Sequence, residues 1–569
     1  MRHCLSRLLC FLRRFLRPER RIVACSSGGF LVADFEALKK KYFVQPDDTE
    51  LPSEPLPATF GGCKVTPLID GVEYFRDLAK QIAPLGAGTP SENSAQFIYI
   101  TGWWLGFMGR PAVPGPPPIP ARPPFSLDGA GATNHLVDVL KAKAHAGVDV
   151  RVMGWISFSG MADYGLLTTS VRGRIGIRDI NLDTMASILG LRKELALVEK
   201  ACLSIISHSA GASHTKMALV GDGSGSAIGY TGGLDLDNDR HGSQPHPPRE
   251  WHDVQAKVEG PAVQALYDFY RSLWNENRAR KIKSFRSVNE IVISHTPTTP
   301  PVPARTFPTT PVGGHHLQSL RTVPRFNYKS TNNLPENEKI SFAPDGFFEV
   351  RSAWFNAVLT AERYVYIEDQ GFWSVEVMAW LNRVIKLRAD LKVILVKGIN
   401  DPNDPPFPAY ANIALWNGLL HDLNPQQRGR VRAFLRNVFV HSKTTIVDDH
   451  WAIIGSANAY RRSLYSDIEH AVGLLDEEDK LVRQYRVRLW SDHLGLLDPA
   501  DQQKIADIDK ALNVWDGNWG TPGSGVTLPP TLAPIPLPTI ETTLDSSQQD
   551  RYDRYDDVDS RLPWGGCLP

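Results

Sequence analysis

The sequence NVFVHSKTTIVDDHWAIIGSANAYRRSLYSDIE, residues 437–469, holds the most informative pattern of the chain. It opens with alternating apolar residues, which predict a strand, and His441 and Lys443 stand two positions apart, on one face of that strand. A second apolar run leads into Ser456 and Asn458. An imidazole, an ammonium, a hydroxyl and an amide can therefore converge at one sheet edge, and this set suits a phosphate. A single His-x-Lys pair is also compatible with a solvated polar face.

The same pattern occurs earlier in the chain. His214-Thr215-Lys216 is followed by Gly232-Gly233-Leu234-Asp235, and an apolar strand with a Tyr-Ile pair precedes each copy, at 97–100 and 364–367. Each copy is followed by an acid, Asp253 or Glu469, that stands 21 positions before the Trp of a Leu-Trp pair. The shared order indicates an internal duplication. Two half-sites in one chain can place two histidines on opposite sides of one phosphate.

The chain resembles the phospholipase D superfamily. His-x-Lys-x4-Asp followed by Gly-Ser-x-Asn is the signature of that family, and residues 441–458 match it in full. Further resemblances are ITGWW at 100–104, GGLDL at 232–236, WHDV at 251–254 and YIEDQ at 366–370. These segments look like the phosphatidylcholine-cleaving branch rather than the short nucleases, and the resemblance covers roughly residues 60 to 495.

Strand, helix and strand follow one another in each copy, which predicts an α/β fold. Together with the resemblance, this implies two duplicated α/β/α sandwich halves that pack as a pseudo-dimer with one shared active site. We expect five regions in the chain. They are a basic amphipathic extension (1–59), a first half (60–293), a linker or crossover rich in Thr and Pro (294–335), a second half (336–515) and a low-complexity, mostly disordered tail (516–569).

The resemblance also implies a division of labour among the site residues. His214 is expected as the nucleophile that forms a phosphohistidine and His441 as the general acid and base, whereas the residues alone do not choose between them. Asp253 and Glu469 are expected to hold the histidine rings, and Lys216 and Lys443 to bind the nonbridging oxygens. Four residues are expected around the substrate phosphate: Gly233, Asp235, Ser456 and Asn458.

The first motif departs from the family at its aspartate. Asp448 follows Lys443 by five positions, but Gly221 stands at the corresponding place after Lys216, and Asp222 comes one residue late. Both aspartates are expected as structural supports, and a one-residue bulge would restore Asp222 to that role.

Composition limits the partners that we expect. The 569 residues carry a formal net charge of +0, without the basic excess of a nonspecific nucleic-acid binder, so no nucleic-acid partner is expected. The reaction scheme requires no cofactor; Ca²⁺ would be compatible but is not indicated. A cation could bind Asp237, Asp239 and His241, although acidic loops are usually solvated. The six cysteines show no zinc-ligand spacing.

The expected partner is the surface of a phospholipid bilayer, and the chain is expected to be a monomer with internal pseudo-twofold symmetry. Leucines and arginines at 5–21 predict a basic amphipathic helix, for which membrane binding, an organelle transit peptide and a disordered extension are competing interpretations. No apolar stretch is long enough for a membrane span, and no clear secretory signal is present. The protein is therefore expected to be soluble or peripheral to a membrane, and the sequence assigns no compartment.

The sequence thus predicts a phospholipase D that hydrolyses the distal phosphodiester of phosphatidylcholine-like lipids to phosphatidic acid and a free head group. Head-group exchange with an alcohol is a second outcome of the same chemistry. The alternatives are another phosphodiesterase or phosphatidyltransferase of the superfamily, either cardiolipin synthase-like or a nuclease, and an inactive phospholipid-binding scaffold.

Overall fold

The computed structural model describes a set of ranges that includes both predicted motifs. These are residues 32–49, 54–109, 111–112, 121–129, 134–156, 177–204, 206, 211–279, 285–286, 292–293, 299–325, 339–399, 407–478, 480–517, 529, 531–539 and 543–551. The predicted basic helix at 5–21 lies outside the described residues. Within these ranges, no helix combines the length and the apolar character needed to cross a bilayer.

The strands are numbered in chain order. They are β1 (Thr59–Ile69), β2 (Phe97–Gly102), β3 (Asp149–Trp155), β4 (Ala201–Ser204), β5 (Met217–Gly221), β6 (Ala227–Gly232), β7 (Trp251–His252), β8 (Val254–Glu259), β9 (Phe285–Arg286), β10 (Val292–Ile293), β11 (His315–Val323), β12 (Phe347–Phe348), β13 (Tyr364–Glu368), β14 (Lys392–Gly398), β15 (Val431–Arg436), β16 (Phe439–Val440), β17 (Thr444–Val447), β18 (Trp451–Gly455), β19 (Glu469–Asp476) and β20 (Leu532–Pro534).

The helices are numbered in the same way. They are α1 (Val32–Tyr42), α2 (Asp70–Ile82), α3 (Pro90–Asn93), α4 (Leu136–His145), α5 (Ile177–Arg192), α6 (Val263–Ala279), α7 (Glu349–Thr360), α8 (Val375–Leu387), α9 (Phe407–Ile413), α10 (Pro425–Arg428), α11 (Arg461–Tyr465), α12 (Leu481–Leu494), α13 (Pro499–Gln502), α14 (Ile508–Gly517) and α15 (Ser546–Arg551). A π-helical segment, Ala414–Leu420, extends α9.

One large sheet runs through both halves of the chain. Its strand order is β20-β15-β14-β13-β17-β18-β19-β11-β1-β8-β6-β5-β2-β3-β4, with β12 beside β11. Outward from the central β1–β11 pair, the series β8, β6, β5, β2, β3, β4 has the same topology as β19, β18, β17, β13, β14, β15. Both halves therefore repeat one strand order, as an internal duplication would produce. The predicted α/β fold is confirmed.

Helices cover both faces of the sheet. In β2, Phe97 and Tyr99 pack in a core that also contains α6, α12 and apolar residues of the second half. The alternate residues Ile98 and Ile100 pack in a second core with α2, α4 and α5. Burial on both faces explains why these strands read as continuous apolar runs rather than alternating ones.

The predicted linker contains a central strand. β11 lies within 294–335, pairs antiparallel with both β1 and β19, and so connects the two halves. The Thr- and Pro-rich residues before it conceal this strand in the sequence. Two flanking regions are also partly ordered. α1 from the predicted extension packs against α7, and β20 from the predicted disordered tail pairs with β15.

Candidate active site

Both His-x-Lys segments lie directly before a strand. Lys216 precedes β5 and Lys443 precedes β17, so the two motifs occupy the same position in their halves. The prediction that His441 and Lys443 share one face of a strand was wrong in detail, because β16 ends at Val440 and β17 begins only at Thr444. The intervening backbone turns, and the Lys443 ammonium donates a hydrogen bond to the carbonyl of His441. Lys216 makes the same contact with the carbonyl of His214, at 3.0 Å.

Each histidine pairs with an acid from the opposite half. The Nδ1 atom of His214 lies 3.1 Å from Oε1 of Glu469. The Nδ1 atom of His441 lies 2.6 Å from Oδ2 of Asp253. Since each pair joins a residue of one half to a residue of the other, neither half forms a complete site without its counterpart.

Short backbone ladders bring these residues together. Ser213 forms a parallel bridge with Ile468, and the His214 N–H donates to the carbonyl of Ile468 at 2.9 Å. In the other pair, β16 lies parallel to β7, and the His441 N–H donates to the carbonyl of His252 at 2.8 Å. Each histidine therefore stands beside the residue that directly precedes its acid.

The hydrogen bonds identify the tautomer of His214. Its Nδ1 atom also lies 3.0 Å from the backbone carbonyl of Ser456. A carbonyl oxygen only accepts, so Nδ1 carries the proton and Nε2 keeps its lone pair. Within the described residues, neither His214 nor His441 has a hydrogen-bond partner at Nε2. Both rings thus keep this nitrogen available for a substrate.

The electrostatic environment disfavours a charged imidazole at both histidines. Burial and then the Lys216 ammonium lower the pKa of His214 well below its usual range. Burial and then the charges of Lys443 and Arg240 do the same to the pKa of His441. Lys216 and Lys443 each act on both histidines, so the four groups interact at short range.

The positive charges of the two buried lysines are not fully balanced by the carboxylates around them. Lys216 and Lys443 are 1% and 2% exposed. Burial lowers the pKa of Lys443 to about 8, although Asp253 and Asp369 oppose this shift. Burial also lowers the pKa of Lys216, whose ammonium lies 3.4 Å from Oδ2 of Asp235. A phosphate bound here would supply the negative charge that keeps both ammonium groups protonated.

Gly233 and Ser456 brace the two acids instead of facing a phosphate. The Gly233 N–H, expected as a phosphate donor, is occupied by the carbonyl of Val254 at 3.0 Å. A Cβ at Gly233 would lie 2.0 Å from Oδ1 of Asp253, so glycine leaves room for this carboxylate. The Ser456 hydroxyl, also expected at the phosphate, donates to Oε2 of Glu469. Both roles therefore differ from the sequence prediction.

Asp235 also departs from its predicted place. Its Oδ1 atom accepts the backbone N–H groups of Trp103 and Trp104, at 3.1 Å and 2.9 Å. A carboxylate would repel a phosphate, so Asp235 orders the end of β2 and pairs with Lys216. Asn458 remains a predicted phosphate ligand. It is 4% exposed, and its side-chain oxygen has no hydrogen-bond partner within the described residues.

Asp448 and Asp222 do not play equivalent roles. Asp448 is buried and accepts the hydroxyl of Tyr42 together with three backbone N–H groups at 362–364. Asp222 is exposed and binds only within its own turn, to Ser224. The expected bulge is absent because the β2–β5 ladder runs unbroken to Phe97 and Gly221. The prediction of Asp222 as a structural support was therefore wrong.

Sequence reasoning gave no role to Asp369 and Arg240. Oδ2 of Asp369 accepts the N–H of Ala459 at 2.9 Å, and burial raises the pKa of its carboxyl to about 7. Arg240 is buried, with its guanidinium 3.3 Å from the ring centre of Trp251, on which His441 packs edge-on. Asp369 lies in the quoted YIEDQ segment, whereas no pattern in the sequence marked Arg240.

The possible cation site at 237–241 is explained by protein contacts. Asp237 and Asp239 both pair with the guanidinium of Arg122, with Nη1 at 2.7 Å from Oδ2 of Asp237. The Nε2 atom of His241 lies 2.9 Å from the carbonyl of Ser126 and donates to it. Arg122 therefore supplies the positive charge that a cation would have provided.

Comparisons with known proteins identify relatives of this chain. The family model described as "Cardiolipin synthase, PLD-like domain" matches residues 358–493. Phospholipase D beta 2 of Arabidopsis thaliana is 21% identical over 75% of this chain and 58% of its own length. Phospholipase D alpha 1 of Cynara cardunculus is 21% identical over 75% of this chain and 66% of its own length. The chain thus spans about three fifths to two thirds of these relatives.

Among solved structures, the chain is similar to the phosphatidylserine synthase of Haemophilus influenzae Rd KW20. The match has 12% sequence identity and a TM-score of 0.42, and it covers 80% of this chain and 95% of the other.

Proposed function

Because the chain belongs to the phospholipase D superfamily, we propose that it is a phosphodiesterase that cleaves the distal phosphodiester of phosphatidylcholine-like glycerophospholipids. The products are phosphatidic acid and the free head group when water is the acceptor. The observation that carries the proposal is the crosswise pairing of His214 with Glu469 and of His441 with Asp253, beside two buried lysines.

In the first step, Nε2 of His214 attacks phosphorus and forms a P–N bond. His441, protonated at Nε2, stands on the far side and gives its proton to the head-group oxygen as the P–O bond breaks. The head-group alcohol leaves, and the phosphatidyl group remains on His214. The negative phosphate offsets the lysine charges that lower the pKa of His441, so substrate binding favours the imidazolium that this step needs.

In the second step, His441 acts as a base. Its neutral Nε2 takes a proton from water, the oxygen attacks phosphorus, and the P–N bond breaks to regenerate His214. An alcohol in place of water yields the exchanged phospholipid. Lys216, Lys443 and the Asn458 amide stabilise the charge on the nonbridging oxygens in both transition states.

Asp253 and Glu469 hold the rings of the two histidines throughout. Each accepts from Nδ1–H and so directs Nε2 at phosphorus or at the departing oxygen. The carboxylates also stabilise the positive charge that develops on each ring. No metal or other cofactor takes part in the proposed steps.

The test measures choline release from phosphatidylcholine vesicles, with and without ethanol. Wild type should release choline and form phosphatidylethanol, and His214→Ala and His441→Ala should each abolish both activities. His421→Ala, which removes a half-exposed histidine paired only with Asp422, is the matched control and should keep full activity. If wild type released no choline, the phosphatidylcholine assignment would fail.

Phosphatidyl transfer is the second candidate, because the matching family model is described as cardiolipin synthase. The same two histidines would serve, with an alcohol on a second lipid as the acceptor in place of water. Vesicles of phosphatidylglycerol distinguish the two: cardiolipin and glycerol would accumulate in the transfer reaction, whereas phosphatidic acid and glycerol would accumulate on hydrolysis.

A further inference from the structure

A second cluster of buried ionisable groups lies behind the site. It contains Asp70 at the start of α2, His246 in the loop before β7, His252 at the end of β7, and Asp492 in α12. All four residues are buried. The first three belong to the first half and Asp492 to the second, so the cluster spans the boundary between the halves. The reaction steps above use none of them.

The donor atoms of this cluster are spaced like the ligands of one small cation. His246 Nε2 lies 3.0 Å from Oδ2 of Asp70 and 3.4 Å from Oδ2 of Asp492. His252 Nδ1 lies 2.8 Å from Oδ1 of Asp70 and 3.6 Å from Oδ2 of Asp492. Zinc bonds of about 2.0–2.2 Å in tetrahedral geometry place neighbouring ligand atoms about 3.3–3.6 Å apart. The four separations are close to that range, and since His246 and His252 face different oxygens of Asp70, this carboxylate would have to turn to give one oxygen to Zn²⁺.

The remaining ring nitrogens provide an independent indication. His246 Nδ1 lies 2.9 Å from Oε2 of Glu250, and His252 Nε2 lies 2.8 Å from Oε1 of Glu368. Metal-bound histidines usually give their other N–H to a carboxylate, which fixes the tautomer and raises ligand basicity. Both histidines of the cluster show this arrangement, with Nε2 of His246 and Nδ1 of His252 facing the carboxylates of Asp70 and Asp492.

We propose that Asp70, His246, His252 and Asp492 form a tetrahedral Zn²⁺ site that fastens the two halves together behind His441. Two imidazoles and two carboxylates suit Zn²⁺ better than Ca²⁺ or Mg²⁺, which prefer six or more oxygen ligands. The Arg436 guanidinium contacts the same Oδ2 atom of Asp492 and also pairs with His493, so Asp492 would share its carboxylate between Arg436 and the metal.

The cluster connects directly to the candidate active site. The Asp253 N–H donates to Oδ1 of Asp70 at 3.2 Å, and the Asp70 N–H donates to the carbonyl of Asp253 at 2.8 Å. The metal would thus fix the backbone that presents the Asp253 carboxylate to His441. Its role is positional, because its ligands contact the reacting histidines only through the backbone, where the His441 N–H donates to the carbonyl of His252.

The test is Zn²⁺ binding to the full chain after dialysis against a chelator, followed by elemental analysis and calorimetry. Wild type should bind one Zn²⁺ and unfold at a higher temperature with metal than without it. His246→Gln and Asp492→Asn should each weaken binding at least tenfold. His316→Gln, at a histidine paired with Glu477 far from the cluster, is the control and should bind normally.

The proposal would be overturned if wild type bound no Zn²⁺ at a saturating concentration. It would also be overturned if His246→Gln and Asp492→Asn both bound Zn²⁺ as tightly as wild type. If the variants do not fold, the absorption spectrum of Co²⁺ added to the wild-type protein tests the site without them. Intense visible absorption typical of tetrahedral Co²⁺ is the expected result, and its absence would overturn the site. Neither measurement depends on catalytic activity, so the zinc site and the proposed function fail or stand separately.

Discussion

A methyl group at Gly233 would collide with the carboxylate that holds His441, so Gly233→Ala tests the crosswise pair directly. The added Cβ would lie 2.0 Å from Oδ1 of Asp253, whereas real Cβ atoms essentially never come within 3.0 Å of another heavy atom. The carboxylate must therefore retreat by about 1 Å. Gly233 itself has little freedom to move, because its N–H is bonded to the carbonyl of Val254.

The retreat of this carboxylate breaks its hydrogen bond to the histidine. Asp253 Oδ2 lies 2.6 Å from His441 Nδ1, and a further 1 Å takes the pair beyond hydrogen-bonding distance. A misplacement of this size costs about 10²-fold in rate, and complete loss of the orienting acid costs up to about 10⁴-fold. We expect kcat/KM for choline release to fall within that range, which corresponds to about 2.7–5.4 kcal/mol of transition-state stabilisation.

Gly229 in β6, the strand that ends directly before Gly233, supplies the control. A Cβ at Gly229 would lie 2.6 Å from the end of the Leu266 side chain, away from the site. Gly229→Ala should lower the free energy of unfolding by about 1–3 kcal/mol through overpacking and leave kcat/KM unchanged. Gly233→Ala should do the reverse, losing activity while remaining folded in thermal unfolding experiments.

A double-mutant cycle makes the test decisive. Once Asp253→Ala has removed the carboxylate, the methyl group at position 233 has nothing to displace. The double variant should therefore be as slow as Asp253→Ala alone. Wild-type kcat/KM in Gly233→Ala, or losses that add in the double variant, would refute the role assigned to this pair.

Three further outcomes follow from the same geometry. Lys443 has a pKa of about 8 in the free protein and acts as a cation, so kcat/KM should fall as pH rises through about 8. Lys443→Arg should abolish this alkaline limb of the pH profile. A limb that persists in that variant would contradict the role assigned to Lys443. Asp448→Ala should lower the free energy of unfolding in urea by about 2–5 kcal/mol, because buried N–H groups lose their acceptor. Asp222→Ala should change the free energy of unfolding by less than about 0.5 kcal/mol. Equal effects of the two substitutions would contradict the different roles assigned to these aspartates. Arg240→Met removes a positive charge that lowers the pKa of His441, so this pKa should rise in an NMR titration of the free protein, and a fall would contradict this account.

The architecture was readable from the sequence because its signals are long and repeated. The apolar runs at 97–100 and 364–367 became β2 and β13, and the two His-x-Lys segments took the same place in their halves. β11 escaped notice because Thr- and Pro-rich residues precede it, and its own sequence, HHLQSLRTV, mixes polar with apolar side chains. Five of its nine residues lie in one continuous buried run, since strands on both sides cover it.

The site was predicted by residue type but not by partner. Sequence reasoning named Asp253 and Glu469 as the acids but did not assign them to particular histidines, because that pairing depends on how two halves dock. It placed Ser456 at the phosphate because a hydroxyl is a good donor, whereas Glu469 competes for that donor and takes it. Motifs identify the groups available to a substrate, and only three-dimensional neighbours show which of them are already bonded.

Residues outside any sequence motif could not be assigned a role from the sequence, because their partners lie far away along the chain. Asp70 stands alone after an apolar run, and its partners are 176, 182 and 422 positions away along the chain. Nothing in the local sequence links it to His246, His252 or Asp492. Such clusters depend on long-range contacts, so the structure alone brings them together.

The central claim is that His214 carries the phosphatidyl group and His441 moves the protons, and one trapping measurement tests it. A phosphatidyl ester of p-nitrophenol has a leaving group that needs no acid, so His441→Ala should complete the first step and stall before the second. The account predicts a burst of one p-nitrophenol per chain and a phosphatidyl adduct located on His214 by mass spectrometry. The absence of any adduct, or an adduct on His441 in His214→Ala, would contradict it.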